Sequence, residues 1–83
     1  MSLIERNDLI SLIEVALEQD SGSLSQNSRA EDIEKWDSLG HLNILVALDS
    51  QCNGKVAGIS AMATADSIQK IIEILENNSL LKD

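Results

Sequence analysis

Few side chains in this chain are equipped for covalent chemistry. Ser38 follows Asp37 and opens the run Leu39-Gly40-His41-Leu42, and the sequence holds one histidine, His41, and one cysteine, Cys52. Asp37 and Ser38 both suit a helix N-cap, because a side-chain oxygen accepts from the unpaired N–H groups of a first turn. A serine hydroxyl held there sits at the positive end of a helix dipole, where an attached phosphate is stabilised. Other chemistry finds no constellation. A Cys–His pair needs hydrogen-bond reach, yet His41 and Cys52 share one helix face about 16 Å apart at the standard rise. One His and one Cys fall short of a zinc site, and the acids lack calcium-loop spacing. No Gly-rich phosphate loop is present, and a lone histidine three residues after Ser38 builds no Ser–His–Asp set. The expectation is a chain that is not itself an enzyme and offers a hydroxyl for another protein to modify. His41 then reads as a residue at the core edge and Cys52 as a small buried hydrophobe.

The element that must present Ser38 is a helix from about Ser38 to Gln51 or Cys52, with Asn53-Gly54 as its stop signal. At 3.6 residues per turn, His41, Ile44, Leu45, Leu48 and Cys52 form the expected core stripe. Leu39, Leu42 and Val46 fall roughly opposite, interleaved with Asn43, Asp49 and Ser50. A helix on a small core needs one apolar face only. The second face either packs under a loop or another helix, or meets a partner protein beside the serine.

The remaining elements follow from the apolar spacing. Leu9, Leu12, Ile13, Ala16 and Leu17 predict a first helix over residues 3–19, with Glu5 and Asp8 in its N-terminal turn and an end near Asp20-Ser21-Gly22. Ser23 to Lys35 is a long polar connection, of the length that is usually mobile or functional. Leu24, Ile33 and Trp36 are its anchors, Trp36 plugging the loop just before the serine. Ser60-Ala61-Met62-Ala63 suits a single helical turn. Thr64 is the expected N-cap of the last helix, with Asp66 in its first turn and Ile68, Ile71, Ile72 and Leu75 as its apolar stripe. Asn77-Asn78 ends that helix, and Ser79 to Asp83 are expected to fray. The core is assigned to Leu12, Ile13, Leu17, Ile44, Leu45, Leu48, Ile59, Met62, Ile68, Ile71, Ile72 and Leu75. Residues 1–83 thus read as one all-α domain, a small four-helix bundle of three main helices, one short helix and a long first loop.

Fourteen acidic residues against six basic ones leave a net charge of −8. Such a surface repels nucleic acid and anionic membranes and favours basic partners. The acids cluster at Glu5, Asp8, Glu14, Glu18 and Asp20 and at Glu31, Asp32, Glu34 and Asp37, and most of them read as solvated helix surface. No apolar run reaches the length of a membrane span, no export signal is visible, and one cysteine makes no internal disulfide, so a cytoplasmic location is expected.

Asp37-Ser38-Leu39, following a long loop and opening the second helix of a small acidic helical domain, resembles the acyl carrier proteins. The longer string Trp36-Asp37-Ser38-Leu39-Gly40-His41-Leu42 is similar to the free-standing bacterial members, and Thr64-Ala65-Asp66-Ser67-Ile68 suits their last helix. The resemblance spans residues 3–76. It implies a covalent 4′-phosphopantetheine on Ser38, whose thiol holds acyl intermediates as thioesters. It also implies that Asp37 assists the modifying phosphopantetheinyl transferase and its magnesium. Leu39, Leu42 and Val46 match the family positions that meet acyl-transferring or condensing enzymes, and carriers of this kind can shelter an acyl chain among aliphatic core side chains. A flexible tether raises the local concentration of cargo at each partner.

One departure bears on the pathway. Carriers of primary fatty-acid synthesis are rich in glutamate along this helix, whereas here it offers only Asp49. That points to a specialised lipid, fatty-acid or polyketide-like pathway. The carrier is expected to be a monomer, with no nucleic-acid partner and no membrane span. The rival readings are an unmodified acidic helical adaptor that binds a protein through helix two, and a peptidyl or D-alanyl carrier.

Overall fold

The computed structural model describes residues 4–82. In chain order it contains strand β1 (Ile4–Glu5), helix α1 (Arg6–Ala16), a 3-10 turn (Ala30–Asp32), helix α2 (Ser38–Gln51), a second 3-10 turn (Ser60–Thr64), helix α3 (Ile68–Asn77) and strand β2 (Leu81–Lys82). The architecture is a small, mostly helical domain with three α-helices among the described residues. The segment expected as a short fourth helix is the second 3-10 turn.

The chain ends differ from expectation. Helix one was expected over 3–19, but Ile4 and Glu5 pair in parallel with Leu81 and Lys82 instead. Ile4 N–H also donates to the Leu80 carbonyl at 3.0 Å. Ile4, Leu80 and Leu81 are buried, so the C-terminal segment does not fray. Burying three large aliphatic side chains outweighs the entropy of a loose tail. Asp83 lies outside the described residues.

All three helices end in the same way. Gln19, Gly54 and Leu80 N–H groups reach back to the carbonyls of Glu14, Asp49 and Leu75. The residues before them, Glu18, Asn53 and Ser79, take left-handed φ values of 57°, 54° and 57°. This is the Schellman arrangement, with a side chain where glycine is usual. It explains why α1 stops at Ala16 although the first glycine comes only at Gly22: the turn was made earlier, by Glu18. In α3 the buried Leu75 and Leu80 occupy the positions whose apolar contact commonly seals the motif.

The last helix also starts later than expected. Ser67, and not Thr64, is its cap, with Oγ accepting from Lys70 N–H at 3.1 Å. Asp66 lies before the helix, and its carbonyl accepts from Ala30 N–H at 2.8 Å while Ile68 N–H donates to the Ser28 carbonyl. The long first loop is thereby laced to α3. Its other fastening is Glu14, a buried carboxylate whose Oε2 accepts from Gly22 N–H and Leu24 N–H, both at 3.0 Å. Glu14 is therefore a loop anchor and does not belong to the solvated surface.

The core joins Leu9 and Ile13 of α1, with Leu17 at its C-cap, to Ile44 and Leu48 of α2 and to Ile68, Ile71, Ile72 and Leu75 of α3. Trp36, Cys52, Val56, Met62 and Ala65 close it from the connections. Leu12, Leu45 and Ile59, expected inside, are partly buried against its edge. No helix among the described residues is long and apolar enough to cross a membrane.

Candidate functional site

The site is the N-terminus of α2. Asp37 has an extended backbone, and its Oδ1 accepts from Gly40 N–H at 2.8 Å, which caps the helix and starts it at Ser38. The loop can come this close only because position 40 is glycine. A Cβ there would run into the Lys35 carbonyl, with Leu17 Cδ2 close behind. The helix start is thus wedged against both the first loop and the end of α1. Asp37, Ser38 and Leu39 all remain exposed.

Beneath them lies a polar link that the sequence reading did not foresee. Trp36 is buried, and its Nε1–H donates to His41 Nδ1 at 3.0 Å. The other ring nitrogen of His41 lies 2.7 Å from the Met62 carbonyl. Indole N–H can only donate and a carbonyl can only accept, so His41 carries its proton on Nε2. The Trp36 and His41 rings lie within 14° of coplanar with centroids 6.2 Å apart, so they meet edge to edge through this bond. Trp36 is more than a plug: with His41 it ties the loop before Ser38 to α2 and to the second 3-10 turn. The sequence signal was available, since a polar ring on the core face of a helix needs partners.

Hollows lie beside the helix start and along the helix. One, of about 410 Å³, lies beside Ser38 and is lined by Trp36, Asp37, His41, Thr64 and Asp66 among others. The second is an apolar groove of about 310 Å³ on the side of α2 facing the second 3-10 turn, lined by Leu42, Leu45, Val46, Ile59 and Met62 among others. The helix turns Leu39, beside Ser38, and Leu42 and Val46, on the groove, outward at 67%, 54% and 62% exposure. Among the described residues no loop or helix covers Leu39, Leu42 and Val46, the second apolar face anticipated for α2.

Asp49, the one acid of α2, is half-buried and directed at the following loop. Its Oδ1 accepts from Val56 N–H at 3.0 Å and Ala57 N–H at 2.8 Å. Cys52 is fully buried, and burial, reinforced by the Asp49 carboxylate and partly opposed by Lys55, pushes its thiol above the usual range. A protonated, enclosed thiol is a poor nucleophile. Of the residues singled out from the sequence, the structure brings Asp37, Ser38, Leu39, Leu42 and Val46 to one open surface and leaves Cys52 inside.

No family model matches the chain, and a search of curated proteins and of solved structures found no match either.

Proposed function

We propose that this chain is an acyl carrier protein, holding acyl intermediates as thioesters on a 4′-phosphopantetheine arm attached to Ser38. The observation that carries the reading is the exposure of Ser38 as the first residue of a 14-residue helix whose cap Asp37 supplies. Modification needs a hydroxyl that an enzyme can reach, and Ser38 meets that need.

The surroundings suit such a link. Helix geometry leaves the Ser38 and Leu39 N–H groups without an intrahelical acceptor, while Asp37 occupies that of Gly40. The first turn therefore keeps donors and positive dipole for a phosphodiester on Ser38. The hollow beside Ser38, about 410 Å³, gives room for the start of an arm. When attached, the arm supplies a thiol for thioester exchange, and the protein supplies recognition. Asp37 uses one carboxylate oxygen as the cap, and its exposed side chain keeps the second for the transferase. In this reading the second 3-10 turn would correspond to the short helix of a carrier-type four-helix bundle.

In this reading the partners are a phosphopantetheinyl transferase and acyl-transferring or condensing enzymes of a specialised pathway, met as a monomer in the cytoplasm. Leu39, Leu42 and Val46 also favour a second reading, the unmodified adaptor, because an exposed apolar face serves it equally well. Mass spectrometry separates the two. Incubation with coenzyme A and a broad-specificity transferase is expected to add one phosphopantetheine, and Ser38→Ala is expected to abolish the gain. An unmodified wild-type chain beside an active control carrier would overturn the carrier reading and leave the adaptor.

A further inference from the structure

A groove of about 650 Å³ runs between α1 and α2, and Ser38 does not line it. Two stripes at helical spacing face each other across it, Ser11, Leu12 and Val15 from α1 and Asn43, Ala47 and Gln51 from α2. The α2 stripe stands about 100° round the helix from Leu39, Leu42 and Val46, so this is a separate face. Val15 is 78% exposed, and Leu12, which the apolar spacing assigns to the core, is only partly buried. The groove thus has an aliphatic wall that the described residues leave uncovered. Opposite that wall, the small side chain of Ala47 leaves room for a third helix at about 8–10 Å between axes.

Charge decides what kind of helix fits. Ala16, at the end of α1, meets Gly40 and Asn43 of α2 around a smaller hollow, so the two helices run antiparallel. Glu5 and Asp8 therefore stand at the Gln51 end of the groove, and their carboxylates make no ion pair among the described residues. Neither stripe contributes a lysine or arginine, and the cation on the rim is Lys82 of β2. A second copy would bring a further charge of −8 against these acids, and an anionic lipid surface is repelled likewise.

We infer that the groove between α1 and α2 receives an amphipathic helix of a different protein, with leucine-like side chains against Leu12 and Val15 and a lysine or arginine over Glu5 and Asp8. Asp8 and Val15 lie two turns apart on α1, about 10 Å at the helical rise, which sets the spacing between the basic end and the aliphatic anchors. This is helix-in-groove recognition, in which the anchors supply affinity and the basic end fixes direction. The inference does not depend on modification of Ser38 and holds for a carrier and for an adaptor alike.

The test titrates the isotope-labelled chain with a capped, alanine-rich peptide of about 20 residues, long enough to hold its helix in water. The peptide carries leucines at i, i+3, i+4 and i+7 and two lysines at one end, and amide shifts report where it binds. Shifts are expected to centre on residues 8–16 and 43–51. Val15→Asn is expected to weaken binding about tenfold, as burial of one aliphatic group is lost. Glu5→Gln combined with Asp8→Asn is expected to weaken it about threefold at low salt and less at about 0.15 M ionic strength. All three side chains are exposed, so these variants keep the fold. A nitroxide at the lysine end is expected to broaden the amides of Glu5 and Asp8 and to spare Asn43, and a peptide with glutamates in place of the lysines is expected not to bind. No binding at millimolar peptide, shifts confined to Leu39, Leu42 and Val46, or equal affinity for the glutamate peptide would each overturn the inference. So would a wild-type dimer in sedimentation that Val15→Asn dissociates. The carrier reading is decided separately, by the mass gain at Ser38.

Discussion

Replacing His41 by leucine tests whether the polar link under Ser38 holds the site together. The substitution removes the acceptor for Trp36 Nε1–H, 3.0 Å away, and the donor to the Met62 carbonyl, 2.7 Å away. Trp36 is 6% exposed, so its indole N–H is stranded where water has little access, whereas the Met62 carbonyl keeps the Ala65 N–H at 3.3 Å. At about 2 kcal/mol for the stranded indole N–H and about 1 kcal/mol for the lost bond to Met62, the cost is about 3 kcal/mol. Leucine recovers roughly 1 kcal/mol by burying more apolar area. The net loss of about 2 kcal/mol is a large share of the stability of so small a domain. Urea unfolding reports it as a lower midpoint at unchanged slope. Trp36 is the only tryptophan, so its fluorescence reads the same site directly. The folded-state emission is expected to move to longer wavelength as the loop loosens and water replaces His41. His41→Gln, which keeps an acceptor and a donor on one side chain, is expected to recover about half of the loss. A His41→Leu protein within about 0.5 kcal/mol of wild type, with emission unchanged, would refute the argument that this link fastens the loop.

Two further predictions concern the neighbourhood of the same helix. Gly40→Ala is expected to cost about 1–3 kcal/mol, because the new Cβ meets the backbone carbonyl of Lys35, which has no flexible end to move aside. Urea unfolding measures the loss, and NMR shift changes centred on residues 35–38 would locate it; a neutral variant would show that the loop does not need its close approach. For Cys52, burial raises the folded-state thiol, with Asp49 adding to the effect and Lys55 opposing it. Below the unfolded value of about 8.5 both states are protonated, so this group contributes no pH dependence. Above it the unfolded chain loses the proton first, and stability falls as pH rises, by up to about 1.4 kcal/mol per unit, until the folded-state thiol also ionises. Unfolding curves between about pH 8 and about pH 10 are expected to show this slope in wild type and to lose it in Cys52→Ala; equal slopes in both would exclude Cys52 as its source.

The sequence was most legible where one local rule governs. Asp37 caps α2 by its side-chain oxygen, and the helix runs from Ser38 to Gln51 as the apolar spacing requires. The stripe of Ile68, Ile71, Ile72 and Leu75 is likewise buried as a unit. Legibility failed where distant parts of the chain decide. Ile4 leaves the helical pattern because Leu81, at the other end of the chain, offers it a ladder. Thr64 is a plausible cap by type, but Ala30 pairs with the Asp66 carbonyl and moves the start of α3 to Ser67 and Ile68. Glu14 resembles any surface acid until the loop folds back to give it two N–H donors. At the candidate site the exposed residues Ser38, Leu39, Leu42 and Val46 were readable from helical geometry. The Trp36–His41–Met62 link and the engagement of Asp49 were not, since each depends on where a loop crosses α2.

The parallel run of β1 and β2 has a mechanical consequence. Because Ile4–Glu5 and Leu81–Lys82 point the same way, tension between the two ends of the chain acts along the ladder and not across it. Its hydrogen bonds share the load together instead of parting one after another. A pull transmitted through either end is borne at this clasp before it reaches the three helices, and the seat of Ser38 is spared until the clasp slides.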